Sequence, residues 1–68
     1  MKYLVRKGKV EFSGSKHDIV EYIKEVYEDD YYVQEYWDQM EKDIHILKSV
    51  VSGLDMKLTD NRPKRKGK

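Results

Sequence analysis

The chain has 68 residues, of which 40% are charged and 38% are hydrophobic, and its formal net charge is +1. This length allows one small domain, and the balanced charge argues against a chain that self-repulsion keeps unfolded. The lack of cysteine excludes disulfides and cysteine-ligated zinc. No stretch approaches the ~20 apolar residues of a membrane span, and residues 1–6 do not begin a secretory signal. We therefore expect a cytoplasmic protein that does not bind membranes.

The first predicted element is a β-hairpin with strands at about 2–6 and 9–13. Gly8 lies between the strands and allows the positive φ of a tight turn. A single bent strand is the alternative, because Lys-Gly is a weaker turn signal than Asn-Gly. The β-favouring residues of the segment are Tyr3, Val5, Val10 and Phe12.

A first helix is predicted over about 16–28. Ser15 is a favourable N-cap, and Asp18 stands three residues later, an arrangement close to a capping box. At 100° per residue, the apolar residues between Ile19 and Tyr27 occupy one broad face, and the acids Glu21, Glu25 and Glu28 occupy the other.

A second helix is predicted over about 31–52, where the periodicity is strongest. Asp29 or Asp30 can cap its start, and Gly53 is placed to end it. The helical stripe would place Tyr36 and Trp37 in the core, and two helices joined by the acidic turn would form an αα-hairpin. The apolar residues of the stripe are Val33, Tyr36, Trp37, Met40, Ile44, Leu47, Val51 and Leu54.

The last apolar residues alternate with polar ones between Leu54 and Thr59, which favours a short third strand beside the hairpin. Leu54 also completes the helical stripe, so the pattern fits both structures. Residues 61–68 form a basic tail without an apolar anchor. The predicted fold is therefore α+β, a ββαα domain over residues 1–60 with a possible third strand and a flexible basic tail.

Charge is segregated along the chain: residues 1–10 carry +4, residues 11–44 carry −8 and residues 45–68 carry +5. Such sorting suggests an acidic body with basic ends, although an ordinary solvated surface is the plain alternative. The absence of alanine and the abundance of lysine, acids, tyrosine and isoleucine are compatible with an AT-rich genome, such as that of a bacteriophage of a low-GC bacterium.

Catalytic chemistry is not expected. The serines lie near turns or on the second helix, outside a nucleophile elbow, and the glycines are too scattered for a phosphate-binding loop. Glu41 and His45 stand four residues apart and could face one ion, but this ridge does not clearly supply enough further ligands. We therefore expect no enzyme activity, no cofactor and no metal site.

Ile46 and Val50 lie to one side of the second helix's apolar stripe, where two strands and one helix leave them uncovered. Leftover apolar surface on a small protein is typical of a partner interface. The two residues therefore predict self-association as a homodimer, unless the C-terminal segment folds back over them.

The acids around the predicted inter-helix turn alternate with aromatic residues, a combination typical of protein-binding surfaces. This pattern predicts a non-catalytic binding module, a small regulator or inhibitor that docks on a larger basic protein, including one that normally holds nucleic acid. The expected partner-binding residues are Glu25, Glu28, Asp29, Asp30, Tyr31 and Tyr32.

The alternative is a small nucleic-acid-binding protein that contacts phosphates through its basic hairpin and tail. A helix-turn-helix is disfavoured, because the second helix would carry Glu35, Asp38 and Glu41 towards the phosphates. The residues expected to bind nucleic acid in this alternative are Lys7, Lys9, Arg62, Lys64, Arg65 and Lys66.

Overall fold

The computed structural model describes residues 1–63, and within them the chain forms three strands and four helices. The strands are β1 (Lys2–Arg6), β2 (Lys9–Gly14) and β3 (Lys57–Thr59). The helices are α1 (Lys16–Val26), α2 (Tyr31–Glu35), α3 (Gln39–Lys42) and α4 (Ile44–Gly53). The α+β prediction, with an N-terminal hairpin followed by helices, is confirmed. Lys64, Arg65 and Lys66 of the predicted basic tail lie outside the described residues.

The sheet is antiparallel with the strand order β2-β1-β3, so the predicted third strand is present and β1 is central. Lys7 and Gly8 connect β1 to β2 with φ angles of 52° and 80°. Two consecutive positive φ angles are the requirement of the type I′ turn, whose twist matches that of the strands it joins. The hairpin is thus correct, and the bent single strand is wrong.

A β-bulge interrupts the hairpin. Leu4 pairs with Phe12 and Val5 pairs with Val10, so Glu11 is an additional residue on β2. A bulge changes the direction in which a side chain points, and here it accompanies contacts from Glu11 to the helical layer.

Helix α1 begins with the predicted capping box. The Ser15 hydroxyl accepts a hydrogen bond from the Asp18 amide at 3.2 Å, and the Asp18 carboxylate accepts one from the Ser15 amide at 3.1 Å. The helix ends at Val26, two residues earlier than expected, and it buries Ile19 and Ile23.

The prediction of one helix over 31–52 is wrong, because α2, α3 and α4 occupy this segment. Residues 36–38 form a turn, and Asp43 adopts an extended conformation with φ −132° and ψ 113°. The Asp43 carboxylate accepts a hydrogen bond from the His45 amide at 2.9 Å and so caps α4. Aspartate favours caps and turns over helix interiors, because its short side chain competes for backbone amides.

The core lies between the sheet and the helices, and it includes Leu4 from β1 and Leu47 from α4, both fully buried. Trp37 and Tyr36 are each 36% exposed, so their expected place in the core is wrong. The turn at 36–38 carries both residues out of the helical stripe. None of the helices within residues 1–63 has the length and apolar character needed to cross a membrane.

Candidate functional site

The candidate site is an acidic and aromatic surface formed by residues 25–38, from the last turn of α1 to the turn before α3. Among the described residues, every exposed large hydrophobic side chain except Met1 lies in this segment. Tyr31 is 70% exposed, Val26 is 52% exposed and Tyr32 is 47% exposed. Exposed apolar side chains are therefore concentrated in one short region.

The same segment contains six acids and no lysine or arginine. Glu25, Glu28 and Asp29 are exposed, so three of the predicted partner-binding acids stand in solvent beside the aromatic residues. The Glu35 carboxylate near Tyr31 raises the pKa of its phenol, since a neighbouring negative charge disfavours the phenolate. Tyr31 therefore carries a neutral hydroxyl on a strongly negative surface.

Asp30 has a structural role that separates it from its neighbours. Its carboxylate accepts hydrogen bonds from the amides of Tyr32 at 2.8 Å and Val33 at 3.4 Å, which caps the start of α2. Asp30 is also less exposed than Asp29. Of the two adjacent acids, Asp29 is the one whose carboxylate has no such capping bond in the described part of the chain.

The two tyrosines of α2 are placed differently. The Tyr31 and Tyr32 rings meet edge to face with their centroids 5.8 Å apart. Tyr32 also lies against Gly53 at the end of α4, where a Cβ atom would come within 2.8 Å of the Tyr32 ring. Tyr32 therefore anchors α2 on α4, and Tyr31 is left to project into solvent.

Val50 is only 1% exposed, so it cannot offer the uncovered apolar flank expected from the sequence. The break at 36–38 lets α2 lie beside α4, where Tyr32 and Tyr36 line a small pocket of about 200 Å³ together with Ile46 and Val50. Ile46 remains half-buried. Self-association stays a prediction, and Ile46 is the residue of the pair that can still contribute to it.

A polar cluster that the sequence did not reveal includes Tyr27 of this surface. The Glu11 carboxylate accepts hydrogen bonds from the hydroxyls of Tyr22 at 2.9 Å and Tyr27 at 2.5 Å, and from Arg6 Nε at 3.0 Å. Arg6 also donates to the Tyr27 hydroxyl at 2.8 Å and to the Leu54 carbonyl at 3.2 Å. These bonds join the hairpin to both ends of the helical layer.

Ionisation within the cluster follows from its contacts. Partial burial opposes the charge of Glu11, but the hydrogen bonds from Tyr27, Arg6 and Tyr22 outweigh it and lower the pKa of the carboxyl. Burial, together with the hydrogen bond to Glu11, raises the pKa of Tyr22 to about 12. At neutral pH the cluster therefore holds a carboxylate and neutral phenols. Tyr27 is the C-cap of α1 and lies within residues 25–38, so the cluster joins the acidic and aromatic surface to the hairpin.

The fold brings together only some of the basic residues that are predicted to bind nucleic acid in the alternative hypothesis. Lys7 and Lys9 are exposed at the hairpin turn. The Arg62 guanidinium lies over the Tyr3 ring at 5.4 Å, and Pro63 lines a cleft with Lys7. The first residues of the predicted tail thus lie near β1 and the hairpin turn.

Comparison with protein-family models, curated proteins and solved structures finds no significant match to this chain. The function proposed below is therefore inferred from the chain's own residues.

Proposed function

We propose that this protein is a non-catalytic binding module, a small regulator or inhibitor that docks its acidic and aromatic surface on a larger basic protein. The observation that carries the proposal is the coincidence, within residues 25–38, of six acids, no base and nearly all the exposed large hydrophobic side chains of the described chain. Aromatic side chains supply contact area at an interface, and the acids select a partner of opposite charge.

The placement of the acids supports a basic partner. Glu28 and Asp29 follow the C-terminal end of α1, where the partial negative charge of the helix disfavours further anions. Asp30 offsets part of this cost because it caps α2, but Glu28 and Asp29 make no comparable bond through their carboxylates within residues 1–63. A basic partner groove would stabilise both acids, including a groove that otherwise holds DNA or RNA.

The proposal is tested by a pull-down from cell lysate with and without nuclease, followed by binding measurements on the captured protein. Asp29→Lys and Tyr31→Ser change exposed side chains of the surface and leave the Asp30 cap intact. We expect both variants to lose the partner and the wild type to keep it after nuclease treatment. Sedimentation of the free protein and of the complex gives the stoichiometry, and shows whether the chain is a homodimer.

Asp60→Lys is the matched control for Asp29→Lys. It makes the same change of charge at an exposed aspartate that follows β3 and pairs with Lys2 at 2.6 Å. If Asp60→Lys weakens the complex as much as Asp29→Lys, the net charge of the protein, and not this surface, determines binding. That result would contradict the proposal.

The second candidate is nucleic-acid binding, which the exposed Lys7 and Lys9 and the course of the chain through Arg62 and Pro63 favour. A gel shift on random DNA and RNA tests it. Binding that persists in Asp29→Lys and disappears when residues 62–68 are deleted would favour this candidate over the first.

A further inference from the structure

A cluster of possible metal ligands lies between α1 and α3. His17 and Glu21 are one helical turn apart on α1, and Glu41 comes from α3. One donor atom from each side chain lies within 4.8 Å of the other two, and His17 Nδ1 is 3.2 Å from Glu41 Oε2. The sequence predicted no metal site because Glu41 and His45 on one helix offered too few ligands. In the structure, Asp43 separates these two residues onto different helices.

The donor set fits Zn²⁺ better than it fits Mg²⁺ or Ca²⁺. Zinc binds imidazole nitrogen and carboxylate oxygen at about 2.0–2.2 Å, so donors around a tetrahedral ion are about 3.3–3.5 Å apart. The separation between His17 and Glu41 is close to this distance without an ion. Mg²⁺ and Ca²⁺ prefer oxygen ligands only, and the imidazole therefore distinguishes between the metals.

Glu21 makes the cluster different from an ordinary ion pair. Glu41 alone is enough to pair with the His17 imidazole, yet the Glu21 carboxylate on α1 also lies close to both groups. Two carboxylates at this distance repel each other, and a divalent cation between them removes the repulsion. The capping box fixes the start of α1, which carries His17 and Glu21, and Met40 next to Glu41 is fully buried and anchors α3.

We propose that His17, Glu21 and Glu41 bind Zn²⁺ and thereby join α1 to α3. Three protein ligands leave the fourth position of the ion to water. Because α3 follows the turn at 36–38, the bound ion would also hold that end of the acidic and aromatic surface against α1. The proposal does not depend on the proposed function, since binding of the ion requires no partner.

The test is calorimetric titration of the purified chain with ZnCl₂, together with thermal unfolding at increasing zinc concentration. We expect one ion per chain and an unfolding temperature that rises with zinc, because a ligand that binds the folded state stabilises it. His17→Gln and Glu41→Gln each replace a zinc ligand by a neutral amide, which is a much weaker ligand, and should weaken zinc binding by about tenfold or more, since even indirect partners of a metal are worth that much. Mg²⁺ and Ca²⁺ at the same concentrations should give a smaller shift.

His45→Gln is the matched control, because it removes an exposed imidazole outside the cluster. It should retain wild-type zinc affinity. His17 is exposed and Glu41 is half-buried, and thermal unfolding without zinc shows directly whether their variants are folded. The proposal is overturned if millimolar zinc does not shift the unfolding temperature of the wild type, or if His17→Gln responds to zinc as strongly as the wild type does. A loss of affinity in His45→Gln equal to that in His17→Gln would also overturn it.

Discussion

The first 27 residues and the helical segment from Tyr31 to Gly53 differ in how their structure is determined. In the first region, the residues that set the boundaries are the ones that the sequence predicts for them: Lys7 and Gly8 make the turn, and Ser15 caps α1. In the second region, the apolar spacing of a single helix is spread over three helices. Apolar periodicity indicates which residues can face the core, but it does not show whether the helix that carries them is continuous.

The two regions also differ in the contacts that stabilise them. Within the first region, the hairpin is joined to α1 by the hydrogen bonds of Glu11 and by the stacking of Phe12 on Tyr22, with ring centroids 4.3 Å apart. The second region depends on buried apolar side chains such as Leu47, and it leaves Trp37 partly in solvent, with Lys24 Nζ over its ring at 5.1 Å. Replacement of single residues can test each side of this comparison.

The largest effect is expected within the helical segment. Leu47→Ala removes a fully buried side chain and should lower the free energy of unfolding by about 2–5 kcal/mol. Trp37→Ala should cost less than half as much, because the turn at 36–38 keeps its ring partly exposed. Chemical denaturation measures both losses, with Val51→Ala as a milder core variant if Leu47→Ala does not fold. Equal losses for Trp37→Ala and Leu47→Ala would place Trp37 in the core.

A smaller effect is expected for the polar cluster of the first region. Glu11→Gln removes the charge that accepts three hydrogen bonds and should lower the free energy of unfolding by about 1–3 kcal/mol at neutral pH. The folded-state pKa of Glu11 lies below its ordinary value of 4.5. The Glu11 carboxylate therefore contributes fully to the free energy of unfolding above pH 4.5, and this contribution is lost as the pH falls through the folded-state pKa. Unfolding measured from pH 7 down to acid should show a shallower decline in Glu11→Gln.

At alkaline pH, the same cluster should make the protein less stable as the pH rises. The pKa of Tyr22 rises from 10.0 to about 12 in the folded protein. The stability linked to its proton is therefore complete below pH 10 and is lost as the pH rises towards 12. Tyr22→Phe should flatten this part of the pH profile; an unchanged alkaline profile would show that the Tyr22 proton does not contribute.

The smallest effect concerns the contact between α2 and α4. Gly53→Ala should displace the Tyr32 ring, because the new Cβ atom would lie 2.8 Å from it. In a Tyr32→Ala background the same replacement should stabilise the protein by up to about 1 kcal/mol, since alanine favours the helix more than glycine does. A double-mutant cycle measures the difference between the two backgrounds. If Gly53→Ala has the same effect in both, Tyr32 does not hold α2 on α4.

The elements that could be predicted are those with a local chemical signal. The hairpin turn, the capping box and the alternation before Thr59 all depend on residues close together in the chain. The Glu11 cluster could not be predicted in this way, because Arg6, Tyr22 and Tyr27 come from different elements and a bulge turns Glu11 towards them. Tyr22 and Tyr27 were predicted only as part of the apolar face of the first helix, and Arg6 only as one of the N-terminal basic residues.

The candidate surface was partly visible in the sequence for a similar reason. Tyr31 and Tyr32 follow a break in the periodicity, and their exposure agrees with that signal. The prediction placed Trp37 and Val50 on one continuous helix. Because the segment turns at 36–38 and α2 packs on α4, Trp37 is more exposed and Val50 is more buried than predicted. The proximity of His17 and Glu41 depends on the packing of α3 against α1, which spacing along the chain does not report.

The strand order has a consequence for synthesis. Central strand β1 pairs with β2 inside the first 14 residues, but its other edge pairs Tyr3 with Thr59. A ribosome releases the N-terminal end of a chain first, so β1 keeps one row of backbone donors and acceptors unpaired until the last strand emerges. An open strand edge is a template for pairing with other chains, and closing a long loop to cover it is slow. During translation, the strand at the centre of the finished sheet therefore has an open edge that can associate with neighbouring nascent chains, and it loses this edge only when β3 pairs with it.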